Sequence, residues 1–485
     1  MLLAATATVW SGSTAMAQSA APAPGAPVEA APPPAPPVPP APVPPGETPG
    51  VAPAPAWQDR VDALEQRTHA LEIELAQVRL APPPAPLAPA VRPGPTVQAD
   101  ENGFSITSAD RQYQIRFKTL FQLDGRRFLD DATLGNSDTF LVRRARPIIA
   151  GTVLGLTDFY LAPDFGNNTV ALLDAYLDVH PFPWLRFRAG KFKPPLGLER
   201  LQADQDVTFI ERALDSNLTA QREVGLELWG DIAGGIVRYE GAIVNGNPDN
   251  GINDIDSDHA KSFEGRVFLQ PFNTDALKAF GRLGVGIAAG TGNEKGSATN
   301  TWVGGFKSPG QNTIFSYLAT TTATTVFASG RHTRINPQLY YYVGPFGLLA
   351  EWVREYQQLA NSLGSGAVNN SAGHITAAFA LGGDETFEGV KPHHALDLAN
   401  GGYGALEIAA RYHWLDVDHA SFSTAADPTK SINRARAAGV ALNWQLSRNL
   451  KACGNLDETW FDGGASKGGN RNTEKVALGR FEISF

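Results

Sequence analysis

From about residue 103 to the end, apolar and polar residues alternate with period two. In Tyr113 to Phe121, one face carries Tyr113, Ile115, Phe117 and Phe121; the other carries Gln114, Arg116 and Lys118. Further on, Leu406, Ile408, Ala410, Tyr412 and Trp414 oppose Glu407, Arg411 and His413, and Ala438, Val440, Leu442, Trp444 and Leu446 oppose Asn443 and Gln445. Such alternation predicts half-buried strands, in a soluble sandwich or in a membrane barrel. Sixteen strands are expected, near 111–123, 139–153, 158–165, 170–180, 184–192, 222–230, 235–245, 263–272, 280–290, 331–343, 347–358, 372–382, 403–415, 435–446, 450–461 and 475–485. The even count and the alternation of short turns with long connectors fit an all-β, 16-stranded antiparallel transmembrane β-barrel. One connector, 383–402, is long but falls on the short-turn side. The final strand places Phe481, Ile483 and Phe485 on one face and stops on an aromatic residue in mid-pattern. A ring whose last strand pairs with its first accounts for that ending. Sixteen strands enclose an aqueous lumen, whereas eight would fill with side chains.

The first hundred residues follow other rules. Residues 1–17 read as a signal peptide: Leu2 to Trp10 is short and apolar, and Ala15-Met16-Ala17 is a small-x-small cleavage site, although no positive n-region precedes it. Residues 18–56 form a Pro/Ala-rich linker, and 81–102 a second, Pro-rich linker. Between them, 57–80 is patterned as a short coiled-coil helix, with Val61, Leu64, Thr68, Leu71, Leu75 and Val78 at a and d positions. Three heptads with a polar Thr68 in the seam leave two readings, an oligomerisation helix or a single solvated helix. The barrel region is then 103–485.

Composition narrows the function classes. The chain has 485 residues, and no run of 18 apolar residues follows the N-terminal region, which disfavours a transmembrane helix. A barrel's alternating strands average to a soluble-like hydropathy, and 49 glycines suit a turn-rich β chain. The single cysteine, Cys453, excludes an internal disulfide and reads as a packed thiol. A formal charge of -9 argues against nucleic acid as a partner. There is no P-loop, G-x-S-x-G or H-E-x-x-H, so neither an enzyme nor a cofactor is expected. Asp249, Asp254, Asp256 and Asp258 lack the spacing and terminal Glu of a calcium loop and read as an acidic surface loop; no motif supports a metal.

Several segments, in colinear order across 103–485, resemble the phosphate-selective porin O/P family of Gram-negative bacteria. Phe140-Leu-Val-Arg143-Arg144-Ala-Arg146 is similar to its paired-arginine second strand. Leu173-Asp-Ala-Tyr-Leu177 and Gly190-Lys-Phe-Lys193-Pro-Pro-Leu-Gly-Leu-Glu199 are similar to the entry to its third loop, followed by Phe209-Ile-Glu211-Arg212. Asn336-Pro-Gln-Leu-Tyr-Tyr341, Gly401-Gly-Tyr-Gly-Ala-Leu-Glu407 and the C-terminal Arg480-Phe-Glu-Ile-Ser-Phe485 complete the series, and a terminal Phe also resembles an outer-membrane recognition signal. The resemblance implies a homotrimeric pore in the cell outer membrane, in contact with lipid and lipopolysaccharide. Its N-terminal segment would lie in the periplasm, in possible reach of the cell wall. It also implies anion preference, phosphate and polyphosphate included, and a third loop (about 193–221) folded inward as the constriction.

Anion passage needs closely spaced cations whose binding is strong enough to replace hydration and weak enough to release. Strand parity turns Arg116, Lys118, Arg144, Arg146, Arg186 and Arg188 inward, while Lys191, Lys193, Arg200 and Arg212 lead into or lie within the third loop. Parity puts Leu141, Ala145, Pro147 and Ile149 on the outer face of strand two and leaves Arg143 at the rim. Each cation has a structural alternative, pairing with Asp164, Asp174, Asp178, Glu199 or Glu211 to hold the barrel's shape. The third loop's Asp204, Asp206, Glu211 and Asp215 keep open a general or cation-tolerant porin, and the N-terminal segment keeps open an envelope-anchoring barrel.

Overall fold

The structure is a computed structural model, and the residues it describes are 57–80, 94–129, 137–274 and 276–485. The expected signal peptide, the first linker and residues 81–93 of the second lie outside them. Helix α1 spans Trp57–Leu80, the whole of the expected heptad segment, and buries none of its residues.

The rest is built on one sheet of eighteen strands, with three short two-stranded ladders in the connectors. A hairpin of β1 (Thr96–Asp100) and β2 (Gly103–Thr107) leads into sixteen barrel strands. The first eight are β3 (Gln114–Phe128), β4 (Thr139–Val153), β5 (Thr157–Asp164), β6 (Ala171–Phe182), β7 (Leu185–Phe192), β8 (Glu223–Ile232), β9 (Val237–Val244) and β10 (Ser262–Leu269). The last eight are β11 (Arg282–Lys295), β12 (Phe327–Val343), β13 (Phe346–Asn361), β14 (Gly364–Leu381), β15 (Ala405–Asp416), β16 (Ile432–Gln445), β17 (Leu450–Gly463) and β18 (Glu474–Ser484). Each expected strand is present. Neighbours pair antiparallel, and β18 pairs with β3 from Val476↔Phe128 to Ser484↔Leu120, closing the ring.

Two features depart from the sequence expectation. The ladder begins inside the expected second linker with β1, and β2 after it pairs with β3 from Phe104↔Phe117 to Thr107↔Gln114, just where β18 runs out. Phe485 sits at that junction, exchanging backbone hydrogen bonds with Thr119 and meeting Phe104 edge-on at 5.9 Å. The expected connector 359–371 is instead strand, since β13 and β14 extend to a tight turn at Asn361↔Gly364. Its Ser, Asn and Gly residues hid the alternation.

Burial is inverted relative to a soluble protein. Outward Leu226 and Ile408 are 61% and 59% exposed, while inward Glu407 and Asn443 are 2% and 1% exposed. An apolar exterior around a polar interior belongs in lipid. Close strand approach fixes one glycine here: at Gly190 in β7 (φ 130°), a Cβ would lie 2.2 Å from the Ala175 carbonyl oxygen.

The lumen is largely filled by connectors. Residues 193–222, 296–326 and 417–431 pack Leu214, Leu218, Phe315 and Ala426 against Val353, Leu415 and Phe461 of the wall. The long connector on the short-turn side, 382–404, also folds inward, burying Phe387 among Leu198, Phe268, Tyr340 and Leu349. Burying one phenylalanine contributes roughly 1.5–3 kcal/mol. A cavity remains beside β3–β8.

Candidate ion path through the lumen

The third loop crosses the lumen because the far wall supplies partners for its backbone. Asn336 Oδ1 accepts the Gly197 N–H at 3.0 Å, and the Glu351 carboxylate accepts those of Leu198 and Glu199 at 2.6 and 2.7 Å. His413 Nδ1 accepts the Leu214 N–H at 3.0 Å, and Asp215 lies 2.8 Å from His374 Nδ1. These contacts satisfy the ends of two short helical turns, Leu198–Leu201 and Leu214–Leu218.

On the near wall the same loop meets the arginines of β4. Asp204 is a hub: Arg144 Nε lies 3.3 Å away, Arg212 Nη1 2.5 Å away, and Arg146 bonds to the same carboxylate. Burial alone would raise the Asp204 carboxyl; Arg144, Arg146 and Arg212 outweigh it and hold the group well below the usual carboxylate range. Glu211 receives both Nε and Nη2 of Arg143, at 3.0 and 3.1 Å. Burial opposes ionisation there too, but Arg143 holds Glu211 at about 2.

That contact corrects the expected rim position of Arg143. Gln122 pairs with Arg144 but Leu123 pairs with Val142, so Arg143 is the extra residue of a β-bulge. The bulge lets consecutive arginines both reach the third loop. It also reverses the parity beyond it: Phe140 and Val142 face out, and Leu141, expected outside, pairs with the buried Asp124 instead.

Six of the ten expected path residues are tied to carboxylates. Arg144, Arg146 and Arg212 share Asp204, and Arg146 also binds Asp164 at 2.6 Å. Arg186 binds Asp178 at 3.1 Å and Asp158 at 3.3 Å; Arg188 binds Asp178 and Glu227, both at 2.7 Å. Lys191 reaches Asp254 at 2.5 Å. Arg116 is buried at the turn end of β3, with partners of its own. Arg200 donates to the Ser216 carbonyl and, at 3.0 Å, to Asn250 Oδ1; burial, with Arg212 and Arg222 adding, lowers it to about 9. Lys193 donates to the Gln202 carbonyl at 2.5 Å, and burial pushes it well below the usual lysine range.

Lys118 and Lys193 line one cavity of about 230 Å³ toward the turn end. Arg146, Arg188 and Arg222 stand on its walls, as do Asp174, Asp204 and Asp206, with Tyr160 stacked on Tyr176 at 5.4 Å. Residues 388, 390 and 391 of the inward connector complete it. Sequence reasoning missed Arg222, which stands at the first position of the expected strand 222–230, just before β8, and pairs with Asp174 at 2.8 Å. It also left Arg411, Lys451 and Arg480 off the path, although their inward parity is readable. Arg411 binds Asp457 at 3.4 Å, Lys451 donates to the Val207 carbonyl at 3.0 Å, and Arg480 binds Asp124 at 2.8 Å.

A closed sixteen-strand ring, apolar outside, charged within and narrowed by an inward loop, is a porin-type channel. The sequence model of the family described as phosphate-selective porin O and P matches residues 115–456, and the chain belongs to that family, an outer-membrane channel. Solved structures of similar fold include OmpT of Vibrio cholerae, at 11% identity over 77% of this chain and 98% of that one, with a TM-score of 0.47. An anion-selective porin from Comamonas acidovorans is 12% identical over 77% of this chain and 100% of that one, with a TM-score of 0.47. The channel DcaP of Acinetobacter baumannii is 8% identical over 77% and 97%, with a TM-score of 0.48. No curated protein matches the sequence.

Proposed function

We propose that this porin passes small hydrophilic solutes by passive diffusion and prefers anions, phosphate and polyphosphate among them. The observation that carries the reading is the cavity beside β3–β8. Seven cationic side chains line it against five acidic ones, and neither Lys118 nor Lys193 has a carboxylate partner among the described residues. Lys118 is the cation a passing anion would meet first, and Lys193, whose charge burial disfavours, would hold its proton best with an anion beside it. Arg146, Arg188 and Arg222, held by their own carboxylates, set the surrounding field. The paired arginines serve mainly to fix the third loop. We further propose that three chains assemble, with α1 as a coiled coil through Val61, Leu64, Leu71, Leu75 and Val78, all solvent-exposed along the helix.

Reversal potentials in a potassium chloride gradient test the anion preference. Chloride should permeate better than potassium, phosphate should reduce chloride current, and Lys118→Gln with Lys193→Gln should weaken both effects. A cation-preferring channel would sink the reading. A cation-tolerant pore remains the second reading because Asp206, with no carboxylate-binding partner among the described residues, lines the same cavity. Burial, with Glu388 adding, raises the Asp206 carboxyl well above its usual range, which weakens that alternative.

A further inference from the structure

On the outer side of β11–β14 the apolar face stops before the strands do. A tilted strand crosses the hydrocarbon layer in about 9–11 residues. The strands β12, β13 and β14 have 17, 16 and 18. Counted from the turn between Val343 and Phe346, the crossing length is used up near Thr333 and Tyr356. The outward residues change at that level. On β11 Ala289 gives way to Thr291, on β12 Ile335 to Thr333, and on β13 Trp352 to Arg354 and Tyr356. Thr291, Thr333 and Tyr356 are register partners, so the change runs across the wall as one line. The strand ends beyond it project into the headgroup layer.

That projecting face is basic. Lys295, Arg331 and Arg354 are exposed on it, and none forms an ion pair among the described residues. The carboxylates of these strands, Glu294, Glu351 and Glu355, are all buried on the inner face. Other outward cations of the wall are neutralised: Arg434 binds Asp416 and stands 3.7 Å from Asp462, and Lys475 lies 3.8 Å from Glu458. Asn293, Arg331, Thr333, Tyr356 and Gln358 line one open groove of about 490 Å³. A register shift in β12 beside it, between Ala328 and His332, brings the Arg331 N–H to Gln358 Oε1 at 2.7 Å. The Gln358 amide N–H groups keep no acceptor among the described residues. Asn293 pairs with Arg331, which sets Lys295 two residues further on at the same end. Arg354 stands four residues from Gln358, about 13 Å away at ~3.3 Å per residue.

We infer that this face of β11–β13 binds the phosphorylated sugar headgroup of an outer-leaflet lipid, the chemistry of lipopolysaccharide, with Arg331 and Lys295 at one phosphate and Arg354 at another. Charge complementarity carries the assignment: three unpaired cations with no outward acid on their strands face a layer of anionic headgroups. An arginine fork matches phosphate oxygens and stays charged. Two cationic positions about 13 Å apart suit a headgroup phosphorylated at two ends better than a lipid with one phosphate. Between them Asn293, Thr333 and Gln358 offer amide and hydroxyl groups to sugar hydroxyls. Trp352 and Tyr356 mark the boundary, and acyl chains would run from there over Ile335 and Ala350. The assignment rests on the outer-membrane placement and is independent of which solute the pore prefers.

The test is titration of the full-length protein, freed of lipid by detergent exchange, with purified lipid A carrying two phosphates, read by native mass spectrometry. One retained lipid per chain is expected. Retention should weaken at least tenfold when Lys295→Gln, Arg331→Gln and Arg354→Gln are combined, and at least tenfold when the lipid has lost both phosphates. Arg434→Gln, an outward cation with acid partners, should retain lipid as the wild type does. All three substituted side chains lie outside the lumen, so unchanged single-channel conductance establishes that the triple variant is folded; should it not fold, Arg331→Gln alone carries the comparison. No retention by the wild type, equal retention by the folded variant, or equal retention of the phosphate-free lipid overturns the assignment. So does loss of the oligomer with lipid retention unchanged, which would make the face a contact between copies of the chain.

Discussion

Replacing Asp204 by asparagine separates the two roles of the lumen arginines. The substitution removes one negative charge from a carboxylate shared by Arg144, Arg146 and Arg212. Each arginine keeps a second partner: Arg144 donates to Gln122 Oε1 at 2.6 Å, Arg146 holds Asp164, and Arg212 donates to the Gln202 carbonyl at 3.0 Å. The third loop also keeps its far-wall anchors, so the barrel should fold, with a stability loss of about 3–5 kcal/mol for breaking a buried pair. A unit charge acting at ~8 Å through an effective dielectric of ~40 is worth about 1 kcal/mol, or about half that once screened at 0.1 M salt. The change favours chloride and disfavours potassium by that amount each, so chloride permeability relative to potassium should rise about five- to thirty-fold, read from reversal potentials in planar bilayers at two salt concentrations. The larger change belongs at the lower salt. An unchanged ratio, or a shift toward potassium, would show that these arginines do not face the ion path.

Three further outcomes follow from the same contacts. Because Glu211 is held at about 2, its contribution is present above the unfolded value near 4.5 and is lost as pH falls from there toward 2. Wild-type thermal midpoints should drop across that window by the equivalent of up to ~3 kcal/mol, and Glu211→Gln should flatten the drop. Replacing 384–403 by an Asn-Gly turn should raise single-channel conductance, since that connector fills lumen, and lower stability by roughly 2–3 kcal/mol through the lost burial of Phe387; unchanged conductance would place it outside the path. Gly190→Ala should abolish the heat-resistant folded band on gels, because its methyl would meet the Ala175 carbonyl at 2.2 Å.

The strands were legible because alternation is local: Ile408 beside Glu407 reports its face without knowledge of any other strand. Parity fails where one residue is inserted, and the bulge at Arg143 changed the assignment of every β4 residue beyond it. The hairpin at 96–107 was hidden by its neighbour, a Pro-rich stretch that set the expectation for the segment. The site was legible only as a set of inward cations. Which of them are neutralised depends on pairings that alternation alone does not report: Arg146 meets Asp204 of the third loop across 58 residues, and Arg480 meets Asp124 across the closing seam, 356 residues apart.

The junction at Phe485 bears on assembly. Leu123 and Phe481, partners across the seam, are separated by most of the barrel sequence. Bringing such distant segments together costs roughly 5 kcal/mol of chain entropy, far more than any hairpin in the wall. Neighbouring ladders should therefore form early and the seam late, so that an incomplete barrel exposes both rims of its sheet. The β1–β2 hairpin occupies the stretch of β3 that β18 does not reach, which leaves less bare edge for a stray strand from another chain to join.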